Sequence, residues 1–308
     1  MLKPCAALLT AAVTAPLSAW PRRAVGLWLW LLVPAALAQG VVALPRLNAP
    51  LLLLGEVHDN AAQHALRLQA LQAVVDRGAR PALLLEMFDR DRQAAINAVQ
   101  QAAAADGTAS DPGALDRSVD ALIDAAGRAA GWHWPFYRPY LRLALQHGLP
   151  IMAANVSRTD ARRVIQLGLA ATGFQPEVPA DIAQAQAQVI EDSHCGAIDR
   201  AMAMRLANAQ VARDQFMASL IAANTDRGVV LLAGNGHVRR DIGVPRWLPA
   251  QLRVRSHAVG YLEIGPPSDG AETAAYDEAV FSPPQPRADP CASMRPAPAK
   301  PAPAAASG

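Results

Sequence analysis

The sequence predicts an α/β fold: a mostly parallel sheet covered by helices on both faces, with an inserted helical lobe. Short apolar runs that stop at glycine or at a polar residue indicate buried strands. Such runs cover 50–54, 82–85, 149–153 and 229–233, and a further strand is expected over 253–263. Helical stretches separate these runs, as in parallel sheets whose strands are joined by crossover helices.

Caps and apolar periodicity place the predicted helices between the strands. The first begins after Asp59 or Asn60, either of which can cap it, and ends near Arg77 before Gly78. The others are expected at 89–104, 112–130, 135–147, 181–193 and 198–224. Two helix-only insertions, 89–132 and 172–224, are expected to form the lobe over one edge of the sheet.

Composition divides the chain into four parts. The 308 residues carry a formal charge of +2, which gives no electrostatic footprint for nucleic acid. Residues 1–38 form the predicted signal, 39–47 a linker and 48–265 the folded domain. Residues 266–308 are rich in proline and alanine, and such a segment is expected to be disordered because it has little apolar surface to bury.

The first 38 residues have the pattern of an export signal. Arg22 and Arg23 precede an apolar run over 24–38, which ends in Ala-Leu-Ala before Gln39. The protein is therefore expected to be exported to the periplasm, with an uncut membrane anchor as the alternative. Cys195 and Cys291 suffice for one disulfide in an oxidising compartment, although the sequence alone slightly favours two free thiols.

Polar residues follow four of the predicted strands where each strand ends. They are Glu56 with His58, Glu86, Asn155 with Arg158, and His237. Because ligands bind outside the carboxyl ends of the strands in an open α/β sheet, we expect these residues to share one rim. Carboxylate and imidazole groups suit metal ligation or general acid–base chemistry. Each residue alone could be a structural cap, but their recurrence favours a binding site.

An aromatic cluster lies at 132–140, in a chain with few aromatic residues. It contains two tryptophans, a phenylalanine and two tyrosines, Tyr137 and Tyr140. Two interpretations stay open. The cluster is either a hydrophobic hinge between lobe and sheet, or the wall of a site for a flat ligand, with a phenolate available to iron.

The motif order resembles that of the ChaN-like haem-binding lipoproteins. These belong to the haem-binding uptake/Tiki superfamily, which also contains relatives of erythromycin esterase. The matching segments are 54–60 with His64 and Gln69, 85–88, 137–139, 154–156 with Arg158, 194–196, 209–218 and 234–241. The chain departs from the family at Gln39, where a lipoprotein would have cysteine, so a lipid anchor is not expected.

The resemblance implies an iron-uptake accessory protein that binds haem, in some members between two subunits of a homodimer. It makes Tyr137 the iron ligand, with Tyr140 the second choice, and His64 and Arg158 the partners of the haem propionates. Glu56, His58, Asn155 and His237 would line the rim. An outer-membrane haem receptor system is the implied partner, and the protein is expected in the periplasm or associated with a membrane.

The alternative function is a metal-dependent hydrolase. Here Glu56, His58, Glu86 and His237 would hold a divalent metal that activates water, with a carboxylate as base. A third interpretation keeps the rim as a structural network without a ligand. Whether the protein is an enzyme is left open by the sequence.

Overall fold

The computed structural model describes residues 47–265, 271–289 and 291–292. Its centre is a six-stranded sheet of order β3-β2-β4-β1-β5-β6, in which every neighbouring pair is parallel. The strands are β1 Leu51–Leu54, β2 Ala82–Asp89, β3 Ile151–Asn155, β4 Val229–Leu232, β5 Ser256–Glu263 and β6 Glu278–Ser282. The predicted fold class is confirmed, and each predicted strand is present.

Ten α-helices are found in the described residues. They are α1 Ala61–Asp76, α2 Gln93–Ala105, α3 Pro112–Ala125, α4 Trp134–Gln146, α5 Arg158–Leu167, α6 Ala180–Ser193, α7 Arg200–Ala223, α8 Asn235–Val238, α9 Ala250–Arg253 and α10 Ala271–Ala274. α5 was not predicted from the sequence, because it contains three arginines and an aspartate and buries only Ala161 and Val164. Its clearest signal is Ser157, whose side chain caps the helix by accepting from the Asp160 amide.

Both faces of the sheet are covered, which explains the unbroken apolar runs. Successive side chains of a strand point to opposite faces. Leu52 and Leu54 accordingly pack with residues of α1 and α4, whereas Leu51 and Leu53 pack with Met217 and other residues of α7. A strand buried on both faces cannot show polar alternation, so its sequence is continuously apolar.

The prediction of a disordered tail over 266–308 is wrong for its central part. α10 and β6 form there, and β6 pairs in parallel with β5. The tail's average composition concealed a proline-free stretch at 268–282. β6 is an edge strand that buries little: Val280 lies in the core, while Phe281 is 47% exposed.

Cys195 and Cys291 form a disulfide, so the expectation of two free thiols is also wrong. Their Cα atoms lie 5.7 Å apart, and 96 positions separate them in sequence. The ordered part of the tail explains the pairing. Residues after β6 contact the folded domain, where Arg287 bonds Asp59 and Glu263, and Cys195 lies in the turn after α6.

Reduction of this disulfide is expected to lower the free energy of unfolding by about 2–5 kcal/mol, because the unfolded chain regains a long open loop. Urea unfolding of the oxidised protein, the reduced protein and Cys291→Ser would measure the loss. The reduced protein and the variant should agree. Equal stability of the oxidised and reduced forms would contradict the prediction.

Within the described part of the chain, no helix combines the length and apolar character needed to cross a bilayer. The predicted signal at 1–38 lies outside the described residues.

Candidate functional site

A cleft of about 950 Å³ opens at the carboxyl ends of β1–β4. From the predicted set, its lining includes Glu56, His58, Glu86, Asn155, Arg158 and His237. The strand ends therefore converge as parallel topology requires. Trp132 from the aromatic cluster also lines the cleft, as expected if that cluster forms a wall of the site. Four further lining residues were given no role by the sequence: Asp89, Gln210, Arg213 and Glu272.

Two glycines allow the ends of β1 and β4 to approach closely. A Cβ on Gly55 would lie 2.1 Å from Asn235 Oδ1, and one on Gly234 would lie 3.0 Å from His58 Cε1. Asn235 in turn bonds the backbone of Tyr261 in β5, accepting from its amide at 3.1 Å and donating to its carbonyl at 2.6 Å. Glycine is therefore required by packing at position 55, whereas a Cβ at position 234 would need the His58 side chain to shift. Asn235 has a structural role.

Glu56 is the centre of a buried polar network beneath the cleft. Its side chain is completely buried and forms an ion pair with Arg67, which is also completely buried. Arg67 pairs with Glu56 through Nη1 and donates a hydrogen bond from Nη2 to the Leu54 carbonyl at 3.0 Å. Glu56 Oε1 accepts the Tyr137 hydroxyl at 2.6 Å and lies 2.8 Å from His58 Nδ1. These partners fix the carboxylate in one position.

His58 extends from this network into the cleft. Its side chain is 48% exposed, and its ring lies edge-on to Trp132 with centroids 4.7 Å apart. Since an ionised carboxylate can only accept, Nδ1 carries the proton and donates to Glu56. The lone pair of Nε2 is then available, and no described residue forms a hydrogen bond with Nε2. This is the tautomer that a carboxylate imposes on metal-ligating histidines.

His237 lies between two buried carboxylates. Its Nδ1 is 2.6 Å from Asp214 Oδ1, and its Nε2 is 3.4 Å from Glu86 Oε1. Burial opposes the charged imidazole, but the charges of Glu86 and Asp214 outweigh it and raise the pKa of His237 to about 10. Burial likewise opposes the Glu86 carboxylate, but His237 lowers the pKa of Glu86 to about 2. The Gly234 amide donates to Glu86 at 2.7 Å.

We expect Asp214→Asn to lower the pKa of His237, because it removes one of the two charges that favour the imidazolium. In the wild type the folded-state pKa lies above the ordinary 6.5, so charged His237 stabilises the fold fully below pH 6.5. That contribution is lost as the pH rises through about 10. Imidazole ¹⁵N NMR titration would measure the shift, and an unchanged His237 titration would contradict the assignment.

The predicted haem contacts Tyr137, Tyr140 and His64 lie below the cleft and do not line it. All four tyrosines of the chain are buried, Tyr137 being 1% exposed. Burial raises the pKa of both Tyr137 and Tyr140, which opposes the phenolate needed by iron. Tyr140 instead donates to the His64 carbonyl at 2.6 Å. Burial lowers the pKa of His64 to about 4, so this imidazole is neutral near pH 7 and unsuited to pair with a propionate.

Two arginines supply positive charge at the cleft. Arg158 is exposed at the start of α5, as expected for a residue that contacts an anion. Arg213 comes from α7 and donates to Asn155 Oδ1 at 3.1 Å and to Gln210 Oε1 at 2.8 Å. The predicted rim residue Asn155 thus orients an arginine.

The donor set does not favour a metal centre. In the described residues, no group of three or more His, Cys, Asp or Glu side chains is arranged to hold a metal ion. Glu56 and Glu86 instead bond Arg67 and the Gly234 amide. The metal-dependent hydrolase hypothesis therefore receives no support from the structure.

One solved structure agrees with this architecture. The structure of Campylobacter jejuni ChaN, described as showing cofacial haem binding, matches with a TM-score of 0.58 and 19% identity, over 72% of this chain and 84% of that one. A mutant of the erythromycin esterase EreC, in its open conformation, matches with a TM-score of 0.38 and 14% identity, over 73% and 74% of the two chains. A search of curated protein sequences finds no match.

The model of the family described as "Haem-binding uptake, Tiki superfamily, ChaN" matches residues 46–248. This range covers the sheet except for β5 and β6, together with every cleft residue except Glu272. The resemblance predicted from the motifs is confirmed, and the chain belongs to the ChaN family of haem-binding uptake proteins in the Tiki superfamily.

Proposed function

We propose that this protein binds haem in the rim cleft and takes part in haem or iron uptake. Membership of the ChaN family supports haem as the ligand, and the size and polar lining of the cleft support it as the binding site. The observation that carries the proposal is the hydrogen bond between His58 Nδ1 and Glu56. Because Nδ1 is the donor, Nε2 keeps a free lone pair on a side chain that lines the cleft.

The residues of the cleft fit a haem group. Its volume of about 950 Å³ is at the upper end of the usual range for small-molecule sites. Histidine is an established ligand of haem iron. Trp132 offers a flat aromatic surface beside His58. Arg158 and Arg213 offer guanidinium groups for charge-assisted hydrogen bonds with two propionates. Bound haem supplies the iron that the protein carries.

His58 replaces Tyr137 as our candidate for the iron ligand. Tyr137 would first have to leave Glu56 and emerge from beneath Trp132, whose ring centroid is 5.7 Å from its own. In its observed position Tyr137 positions His58, since both side chains contact Glu56 Oε1. Glu56 in turn fixes the orientation and the tautomer of the imidazole.

We further propose that the protein works in the periplasm and passes haem to or from an outer-membrane receptor system, as a monomer or as a homodimer. The support for export is the signal-like pattern at 1–38. The Cys195–Cys291 disulfide adds to it, because such bonds persist in oxidising compartments.

A haemin titration followed by absorbance tests the proposed function. We expect a saturable Soret shift at about one haem per chain, and weaker binding of iron-free protoporphyrin, because the iron–imidazole bond is then missing. A linear, unsaturated response to haemin would overturn the proposal. Equal affinities for haemin and the iron-free porphyrin would overturn the role of His58.

A further inference from the structure

The residues after β6 form a strap between the loop that carries His58 and the turn between α6 and α7. The strap consists of 283–289 with Cys291 and Ala292. We propose that it is a redox-sensitive clasp: it ties the loop carrying His58 to the turn between α6 and α7, and its disulfide determines whether it stays closed. This inference rests on the proposed function for its effect on haem, but not for the clasp itself.

Arg287 joins the strap to the His58 loop. Its guanidinium donates to Asp59 at 2.6 Å through Nε and to Glu263 at 2.6 Å through Nη1. Asp59 directly follows His58, and Glu263 is the last residue of β5. Hydrogen bonds with Arg287 lower the pKa of Glu263 to about 2 and also lower the pKa of Asp59, so both carboxylates are charged near pH 7. A planar guanidinium fork fixes direction as well as distance.

Asn60 reinforces this connection from the other side of Asp59. It is completely buried, and its side chain caps α1 by accepting from the Gln63 amide. Its amide nitrogen donates to Glu263 at 2.6 Å and to the Pro283 carbonyl at 3.0 Å. The Gln285 amide also donates to Glu263. The two residues that follow His58 are therefore both hydrogen-bonded to the strap: Asp59 to Arg287, and Asn60 to Pro283.

The disulfide joins the other end of the strap to α6 and α7. Cys291 lies four positions beyond Arg287, and Cys195 lies in the turn between the two helices. α7 then carries Arg213 to the cleft and Asp214 to His237. The strap therefore connects the segment that presents the proposed iron ligand with the helix that forms another wall of the cleft.

Reduction would leave the strap held by weaker contacts. Both cysteines are partly exposed, so a dithiol reductant can reach the bond. Its thiolate attacks one sulfur, and its second thiol resolves the mixed disulfide. The reductant becomes a disulfide, and Cys195 and Cys291 take up two electrons and two protons as thiols. After reduction, the ion pairs of Arg287 with Asp59 and Glu263 still hold the strap. The side chain of Arg287 is 34% exposed, and ion pairs at such positions add little stability by themselves.

Hydrogen exchange with and without a dithiol tests the clasp directly. In haem-free protein we expect reduction, or the double variant Cys195→Ser and Cys291→Ser, to accelerate exchange at least tenfold in the strap and in residues 56–60. Unchanged exchange in the strap would overturn the clasp. Acceleration confined to the strap would overturn its connection to His58.

Transfer of haemin to an excess of an apoglobin tests the consequence for the ligand. We expect the reduced protein and Arg287→Gln to release haemin several-fold faster than the oxidised wild type. Arg142→Gln is the matched control, because Arg142 is 36% exposed and pairs with Asp116 away from the cleft. Equal release rates for Arg287→Gln and Arg142→Gln would contradict the positioning role. If haemin does not bind at all, the proposed function fails, while the exchange experiment still decides the clasp.

Discussion

Replacing Arg67 by methionine is expected to lower the free energy of unfolding by about 3–5 kcal/mol. Arg67 and Glu56 form an ion pair in which both side chains are completely buried. Methionine can fill much of the same space, but it leaves the Glu56 carboxylate buried without its counter-charge. Such an unpaired charge has lost its hydration and gains nothing in return. Urea unfolding monitored by circular dichroism would measure the change.

Two further variants separate charge from packing. Combining Arg67→Met with Glu56→Gln removes both charges and should recover a substantial part of the lost stability. Arg142→Met removes a partly exposed ion pair with Asp116 and should cost no more than about 1 kcal/mol. If Arg67→Met lowered the free energy of unfolding as little as Arg142→Met, the buried Glu56–Arg67 pair would not stabilise the fold as predicted.

His58→Ala is expected to weaken haem binding by roughly 100-fold or more. Loss of a residue that only orients a metal ligand typically costs 10–100-fold, and loss of the ligand itself should cost at least as much. Tyr137→Phe should cost about tenfold, because it removes one donor to Glu56 but leaves Nε2 of His58 in the cleft. Haemin titrations of the three proteins would give the ratios.

His133→Ala is the matched control for His58→Ala. His133 is exposed and close in sequence to Trp132, but it packs against Phe136 and does not line the cleft. Its removal should leave haem affinity unchanged. If Tyr137→Phe lost more haem affinity than His58→Ala, Tyr137 and not His58 would be the iron ligand.

The predictable part of the fold was its interior. The four leucines of β1 predict a strand buried on both faces, because the run is too short for a helix and a glycine follows it. β6 could not be predicted in this way, because an edge strand needs only one buried row and takes its order from backbone pairing with β5. Neither property is visible in the average composition of a segment.

The rim residues were predictable because a topological rule links the end of a parallel strand to the ligand edge. Glu56, His58, Glu86 and His237 all follow it. Arg67 and Asp214 were missed, because a charged residue inside a helix is usually a solvated one. A signal did exist for Arg67: Ala70, Leu71 and Val74 lie three, four and seven positions later, on the same face of α1.

The position of Tyr137 was equally hard to predict. The family resemblance implied that Tyr137 is the iron ligand, but the helix period places it with Tyr140, Leu141 and Ala144 on one buried face of α4. Accessibility of a side chain depends on the face it occupies, and only packing decides whether a tyrosine on that face reaches a ligand. The structure shows this face turned toward α1 and the core.

We propose that His58 binds the haem iron at the rim. Electron paramagnetic resonance and magnetic circular dichroism of the ferric haem complex identify the axial ligand most directly, when applied to the wild type, His58→Ala and Tyr137→Phe. We predict an imidazole signature that persists in Tyr137→Phe and is lost in His58→Ala. A tyrosinate signature that persists in His58→Ala and disappears in Tyr137→Phe would contradict the claim.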